Sequence, residues 1–247
     1  EVKEDGCIHG RFNQTGTATG RFSSSDPNLQ QLPSRAGDIR GMFCAREGNI
    51  FIGSDYSQIE VRVTASFSKD PTMLHAYETG EDLYSKMASE IHGLPYEACM
   101  EFNPITGELQ KEGKKLRSNT KSILLGLLYG RQAKSIGEQI NVPEKEAQEL
   151  VDSFFKSFPK IKELDKITKL GASQNGYITT ICGRKRRLPD IKSRDKWSKA
   201  RAERQCLNAM IQGSSADCMK LAMISIHNNK RLRELNAKLV LTVHDEV

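Results

Sequence analysis

Apolar residues recur along most of this chain at three- and four-residue spacing, the period of one face of an α-helix, and alternate only in a few short runs. Helical spacing dominates from Asp82 to His92 and from Lys111 to Ile140, and the polar stretch Asn103-Pro-Ile-Thr-Gly107 between them reads as a turn. Pro143 to Leu170 carries a further helical pattern, broken near Pro159, where the ring removes a donor and clashes with the preceding turn. Asp195 to Asn228 predicts one long helix. Strand signals are fewer. Asn49-Ile-Phe-Ile-Gly-Ser54 predicts a buried strand that delivers Asp55 at its end, and Ser57-Gln-Ile-Glu60 has the form of a capping box opening a helix through Phe67. Tyr177 to Ile181 predicts a short strand, and Lys238 to Val243 predicts one running into His244-Asp245-Glu246. Residues 7–40, rich in Gly, Ser, Thr, Asn and Pro, predict loop and short turns.

Composition narrows the class. A chain of 247 residues, 37% hydrophobic with one Trp, can bury a core as one large domain or two small ones. No run of 18 apolar residues exists and the first residues lack signal-peptide form, which points away from a membrane and toward a reducing, cytosolic-type setting. The net charge of +6 suggests a polyanionic partner, a property shared with many proteins that bind no nucleic acid. Six cysteines without a CxxC pair argue against zinc and against a disulfide framework.

Two acidic segments then stand out. Asp55 and Asp245 lie far apart in the chain, yet each follows an apolar, strand-like run. Magnesium takes oxygen ligands, commonly one or two protein carboxylates plus substrate phosphates, so two acids at adjacent strand ends suit a metal pair about 3.5–4 Å apart. Between them, Arg117, Lys121, Leu125 and Tyr129 are spaced by four, so they share one stripe of a helix, and a triphosphate lying along it meets two cations before two flatter or apolar side chains. Taken singly, each feature has an ordinary reading: Asp55 as a helix N-terminal acid, Glu60 as the capping partner of Ser57, His244-Asp-Glu246 as a solvated turn, Arg117 and Lys121 as solvated helix charges. Their joint occurrence is what favours metal-assisted phosphoryl transfer.

The segments also carry a resemblance. Asp55-Tyr56-Ser57-Gln58-Ile59-Glu60 resembles motif A of the DNA polymerase I family, Arg117-(x3)-Lys121-(x7)-Tyr129-Gly130 its motif B, and His244-Asp245-Glu246 its motif C. Thr17-Ala-Thr-Gly-Arg21-Phe-Ser-Ser-Ser-Asp-Pro-Asn-Leu-Gln30, Gly183-Arg-Lys-Arg-Arg-Leu-Pro-Asp190 and Asn208-Ala-Met-Ile-Gln212-Gly213 match further family segments, in the expected order.

The resemblance implies roles. Asp55 and Asp245, with the backbone carbonyl of Tyr56, would hold two Mg2+ ions, and Glu246 would be an auxiliary acid. Lys121 would neutralise the triphosphate and protonate departing pyrophosphate, and Arg117 would grip the terminal phosphate. Glu60, with Tyr129 packed against it, would close the space beside the sugar 2′ position; Gln58, Leu125 and Tyr84 would complete the nucleotide site. Arg21 and Gln212 would reach minor-groove acceptors, His244 would sit by the primer terminus, and Arg204, Asn208 and Arg187 would lie along the duplex. Two departures weaken the match: family members carry an aromatic residue at the position of Leu125 and a histidine at that of Tyr84, and a tyrosine brings no positive charge.

The expectation is therefore an α+β fold, an antiparallel palm sheet with a helical fingers subdomain inserted between the two catalytic-acid strands. Residues 1–60 would hold the thumb-palm junction and first palm strands, 61–190 the fingers, and 191–247 the long palm helix and a truncated motif C strand. The implied activity is template-directed addition of deoxynucleoside triphosphates to a primer 3′ hydroxyl, with primer-template DNA as partner, by a monomeric cytoplasmic protein of bacterial, phage or organellar origin. The alternative is a catalytically incomplete DNA-binding fragment lacking thumb and C-terminal palm. The glutamate in Asp-Tyr-Ser-Gln-Ile-Glu60 speaks against an RNA polymerase.

Overall fold

The computed structural model describes residues 2–32 and 37–247; of the predicted loop region, 33–36 lie outside the described residues. Among the described residues helices dominate, with two small antiparallel sheets, an α+β composition. Two compact units are formed: one from 1–60, 179–186 and 212–247, the other from 61–178 and 187–211.

The second unit is helical. Helices α1 (Ile59–Ser68), α2 (Pro71–Thr79), α3 (Leu83–His92), α4 (Lys111–Leu128), α5 (Ala133–Ile140), α6 (Glu144–Ser157) and α7 (Pro159–Asn175) follow one another, and the long α8 (Lys196–Asn228) contributes its part up to Ile211. Their starts follow from side-chain caps. Asp70 accepts the amides of Thr72 and Met73, each at 3.1 Å, ahead of a proline at the first position of α2. Asp82 accepts the Ser85 amide at 2.8 Å and opens α3, and Asp195 accepts the Ser198 amide at 2.8 Å at the start of α8. The core includes fully buried Met73, Leu83, Met87, Ile123, Leu124, Leu128, Ile136, Phe154 and Ile161 from the apolar stripes of α2 to α7, with Phe158 from the junction of α6 and α7. Phe154 and Phe158 meet at a centroid distance of 5.2 Å, with Phe158 filling the break before Pro159.

The helical pattern read across Lys111 to Ile140 comprises two helices, α4 and α5. Gly130, at φ +71°, ends α4, and a Cβ there would fall 2.5 Å from the carbonyl oxygen of Arg204. Both the left-handed turn and the close approach demand glycine, and spacing alone does not show either. The Asn103–Gly107 turn stands as read. Asn103 Oδ1 accepts the amides of Ile105 and Thr106 at 2.9 and 3.1 Å, Phe102 bridges Leu109, and Ile105 is 93% exposed.

The first unit holds β1 (Arg11–Asn13) paired antiparallel with β2 (Ser23–Ser25), Arg11 opposite Ser25. It also holds α8 from Gln212 onward and α9 (Lys230–Glu234). A second hairpin joins β3 (Tyr177–Thr179) and β4 (Lys185–Arg187). Two predicted strands are corrected here. Neither Asn49–Ser54 nor Lys238–Val243 forms a strand of a sheet; Ile50, Phe51 and Ile52 are 80, 56 and 80% exposed, and Val240 is 65% exposed. An apolar run becomes a buried strand only when a neighbour supplies ladder bonds and a face to cover it, and pairing among the described residues reaches only the ends of these runs. Those ends are where the acids lie.

Candidate active site

Backbone pairing brings the two acidic segments together. The Ser54 amide donates to the Val247 carbonyl at 2.8 Å and receives the reverse bond from the Val247 amide at 3.0 Å, while the Tyr56 amide donates to the Asp245 carbonyl at 3.0 Å. Asp55 and Glu246 form an antiparallel bridge. The second segment is held by its own turn: Val243 and Glu246 exchange amide-carbonyl bonds of 2.9 and 3.0 Å, and His244 takes φ 58° between them. Asp245 is half-buried, whereas Asp55, Glu246 and His244 are exposed. Upstream, Gln30 Nε2 donates to the Thr242 carbonyl at 3.1 Å and anchors the run entering the turn.

The electrostatics follow from this placement. Burial, and then the charges of Asp245 and Glu246, push the Asp55 carboxyl above its ordinary value. Neighbouring negative charges make ionisation of Asp55 costlier in this way, and a hard divalent ion would reverse the effect. Gly53 keeps the space open, since a Cβ there would lie 3.0 Å from Glu246 Oε1. The donor set, carboxylates beside the backbone carbonyl of Tyr56, fits a magnesium-type ion and not a thiol-seeking one. A separate group, Asp5, Cys7 and His9, has ligand atoms within 4.8 Å of one another; Asp5 and His9 are already hydrogen-bonded at 2.9 Å.

Within the helical unit, Arg117, Lys121 and Tyr84 come together. The Tyr84 ring is buried, with the Arg117 guanidinium 5.5 Å and the Lys121 ammonium 5.7 Å from its centroid. Arg117 is already engaged: Nε and Nη2 donate to Asp82 Oδ2 and Oδ1, both at 2.9 Å, and Glu101 lies 4.0 Å from Nη1. Burial would raise the Asp82 carboxyl, but the Arg117 fork and the two Ser85 hydrogen bonds outweigh it and hold it below its ordinary value. Asp82 is thus a partner that sequence spacing missed; its only signal is its place ahead of Tyr84. Lys121 is exposed, Leu125 half-buried one turn on, and Tyr129 caps α4 at 40% exposure, its amide donating to the Leu125 carbonyl at 2.9 Å.

Glu60 lies in the first turn of α1, which begins at Ile59 after Gln58 at φ 57°. Its carboxylate accepts Arg21 Nη2 at 2.6 Å, with side chains only 10 and 23% exposed. Two residues predicted to contact different parts of a substrate are therefore ion-paired to each other. Gln212, half-buried, continues α8 in this unit; Arg204 and Asn208, both half-buried, stand on the part of α8 assigned to the helical unit. Arg187 is exposed at the end of β4. Arg184, in the same basic run, turns inward to Asp217 at 2.9 Å, a role that composition could not separate from its neighbours.

Comparison with known proteins matches the chain to a family. The sequence model of DNA polymerase family A matches residues 1–247. "DNA polymerase I, thermostable" of Thermus aquaticus is 40% identical over 98% of this chain and 28% of its own length. DNA polymerase I of Mycobacterium tuberculosis is 39% identical over 100% of this chain and 26% of its own. The chain thus spans about a quarter of the length of the curated relatives it matches. Among solved structures, the POL domain of Pol1 from M. smegmatis, in complex with DNA primer-template and dNTP, superposes with a TM-score of 0.86 at 36% identity, covering 99% of this chain and 42% of that one. This chain belongs to DNA polymerase family A.

Proposed function

We propose that this chain is the fingers and most of the palm of a template-directed DNA polymerase that adds deoxynucleotides to a primer 3′ hydroxyl. The observation that carries the reading is the pairing of Ser54 with Val247 and of Tyr56 with Asp245, which sets Asp55 beside Asp245 and Glu246 in a family A chain. The unit containing these acids corresponds to the palm, and the helical unit of 61–178 and 187–211 to the fingers. The Mycobacterium relative bound to primer-template and dNTP supports both partners.

In this reading Asp55, Asp245 and the Tyr56 carbonyl would hold two magnesium ions, with Glu246 alongside. When bound, these ions lower the pKa of the attacking hydroxyl and neutralise charge on the leaving phosphates. The protein's own groups do the rest. Lys121, exposed on α4, meets the triphosphate and supplies a proton to pyrophosphate. Arg117 contributes positive charge, with Asp82 fixing its fork. Tyr84, buried beneath both cations, packs under them. Glu60 and Tyr129 exclude a ribose 2′ hydroxyl, with Gln58 and Leu125 completing the nucleotide contact. Arg21 and Gln212 accept either base pair through minor-groove acceptors common to all, His244 adjoins the primer terminus, and Arg204, Asn208 and Arg187 hold the backbone.

The second reading is a DNA-binding piece that cannot close on a nucleotide. Primer extension with Mg2+ and four deoxynucleotides, run on this chain beside the full-length protein that carries it, separates the two. Extension by both supports catalysis within these residues. Extension by the longer protein alone makes this piece a binding module. Extension by neither overturns the polymerase reading.

A further inference from the structure

We infer that Arg184 is a positioning residue that locks together the two backbone segments carrying Arg21 and Gln212, so that the pair meets the minor groove as one rigid unit. The inference rests on the proposed minor-groove role of those two residues. Its geometry lies entirely within the unit that holds them.

Arg184 Nη2 donates to the Thr19 carbonyl at 2.7 Å and to the Gly213 carbonyl at 3.0 Å, while Nε donates to Asp217 Oδ1 at 2.9 Å. Thr19 stands two residues before Arg21, and Gly213 directly follows Gln212. One guanidinium therefore bonds the main chain beside each reader. The approach is tight: a Cβ on Gly20, at φ +85°, would lie 2.7 Å from the guanidinium carbon, and one on Gly213 would lie 3.2 Å from Nη2 and 2.6 Å from Thr180 Cγ2. Both glycines are what let the fork sit between the segments.

The fork is itself held. Asp217, buried, accepts Arg184 on one oxygen and the Thr180 hydroxyl on the other, and Thr180 Oγ1 accepts the Arg184 amide at 3.2 Å. The Ile181 amide donates to Ser214 Oγ at 3.0 Å, a second tie from the same turn to α8. On the far side, Thr17 Oγ1 donates to the Arg21 carbonyl at 2.7 Å, and Arg21 continues to Glu60. A hydrogen-bonded path thus runs from Asp217 through Arg184 and the Thr17–Arg21 turn to Glu60. A planar fork satisfies three acceptors in fixed directions, which a lysine ammonium cannot reproduce. Its charge is offset by Asp217 and its bonds point at protein, which separates Arg184 from the exposed Lys185 and Arg187 of the same run.

The test uses primers ending in guanine or in 3-deazaguanine, which lacks the minor-groove N3 acceptor, in the full-length protein that carries this chain. The measured quantity is the ratio of kcat/KM for the next nucleotide on the two primers. Wild type should lose about tenfold or more on the analogue, and Arg21→Ala and Gln212→Ala should shrink that penalty. Arg184→Lys should slow extension on guanine and also shrink the penalty to below about threefold, with the salt slope of DNA affinity unchanged. Asp217→Asn, which frees the fork without removing it, should shift the ratio the same way and serves if the lysine variant does not fold. A wild type indifferent to the analogue, or reader variants that keep the full penalty, would overturn the minor-groove reading. Reader variants that lose the penalty while Arg184→Lys and Asp217→Asn keep it would overturn the clamp alone, because a merely destabilising change slows both primers equally.

Discussion

Lys121 and Arg117 stand four residues apart on α4 over one buried tyrosine ring, but their surroundings separate their roles. Arg117 is committed to Asp82 by two bonds; Lys121 is exposed. Lys121→Ala should therefore leave the fold intact and lower kcat by about a hundredfold while changing primer-template affinity by less than about threefold, as pre-steady-state kinetics and DNA titration would measure. Arg117→Ala should lower kcat and also the unfolding temperature, because it leaves a half-buried carboxylate without its partner. Equal thermal stability in the two variants would contradict this division. Leu125, half-buried one turn beyond Lys121, tests which face of α4 meets the nucleotide. An apolar side chain offers nothing in place of a missing sugar hydroxyl, whereas a tyrosine does. Leu125→Tyr should reduce the preference for deoxy- over dideoxynucleotides by about tenfold, roughly 1.4 kcal/mol, read as a ratio of kcat/KM values. An unchanged ratio would place Leu125 in the core.

At the scale of elements, the tie between Asp82 at the start of α3 and Arg117 in the middle of α4 should appear in the pH dependence of stability. The Asp82 carboxyl titrates below its ordinary value in the folded chain, so its contribution is fully present above the unfolded carboxylate range and is lost as pH falls through the lower folded value. Asp82→Asn should be less stable than wild type at neutral pH, and the gap should narrow in chemical denaturation toward about pH 3. A gap that is constant with pH would mean the ion pair adds nothing. Gly130→Ala, which places a Cβ against the Arg204 carbonyl, should cost about 2 kcal/mol or more. Helices were legible because period and caps are local: the read range Asp195–Asn228 and the observed Lys196–Asn228 differ only by the capping aspartate. The strands were not, since Ile50, Phe51 and Ile52 carry the right side chains but a ladder is a property of two segments. The same holds for the site: Arg21–Glu60 and Arg117–Asp82 join residues 39 and 35 positions apart, separations that no spacing rule reports.

For the molecule as a whole, the net charge of +6 and the dispersed basic residues suit a polyanion held by many weak contacts, so DNA affinity should fall steeply with salt and depend little on any single acid. Chemistry, in contrast, is assigned to one pair of carboxylates whose segments are joined by three backbone hydrogen bonds, two between Ser54 and Val247 and one from Tyr56 to Asp245. The resemblance in three short segments pointed to those carboxylates, and the fold supplies the pairing that composition could not. Separating affinity from turnover is therefore the most direct test. Asp55→Ala and Asp245→Ala, each in the full-length protein, should lose all but about a tenth or less of Mg2+-dependent nucleotide incorporation while binding primer-template duplex within about threefold of wild type. Incorporation well above that level in either variant, or duplex binding lost in step with incorporation, would contradict the assignment of these two aspartates to the metals.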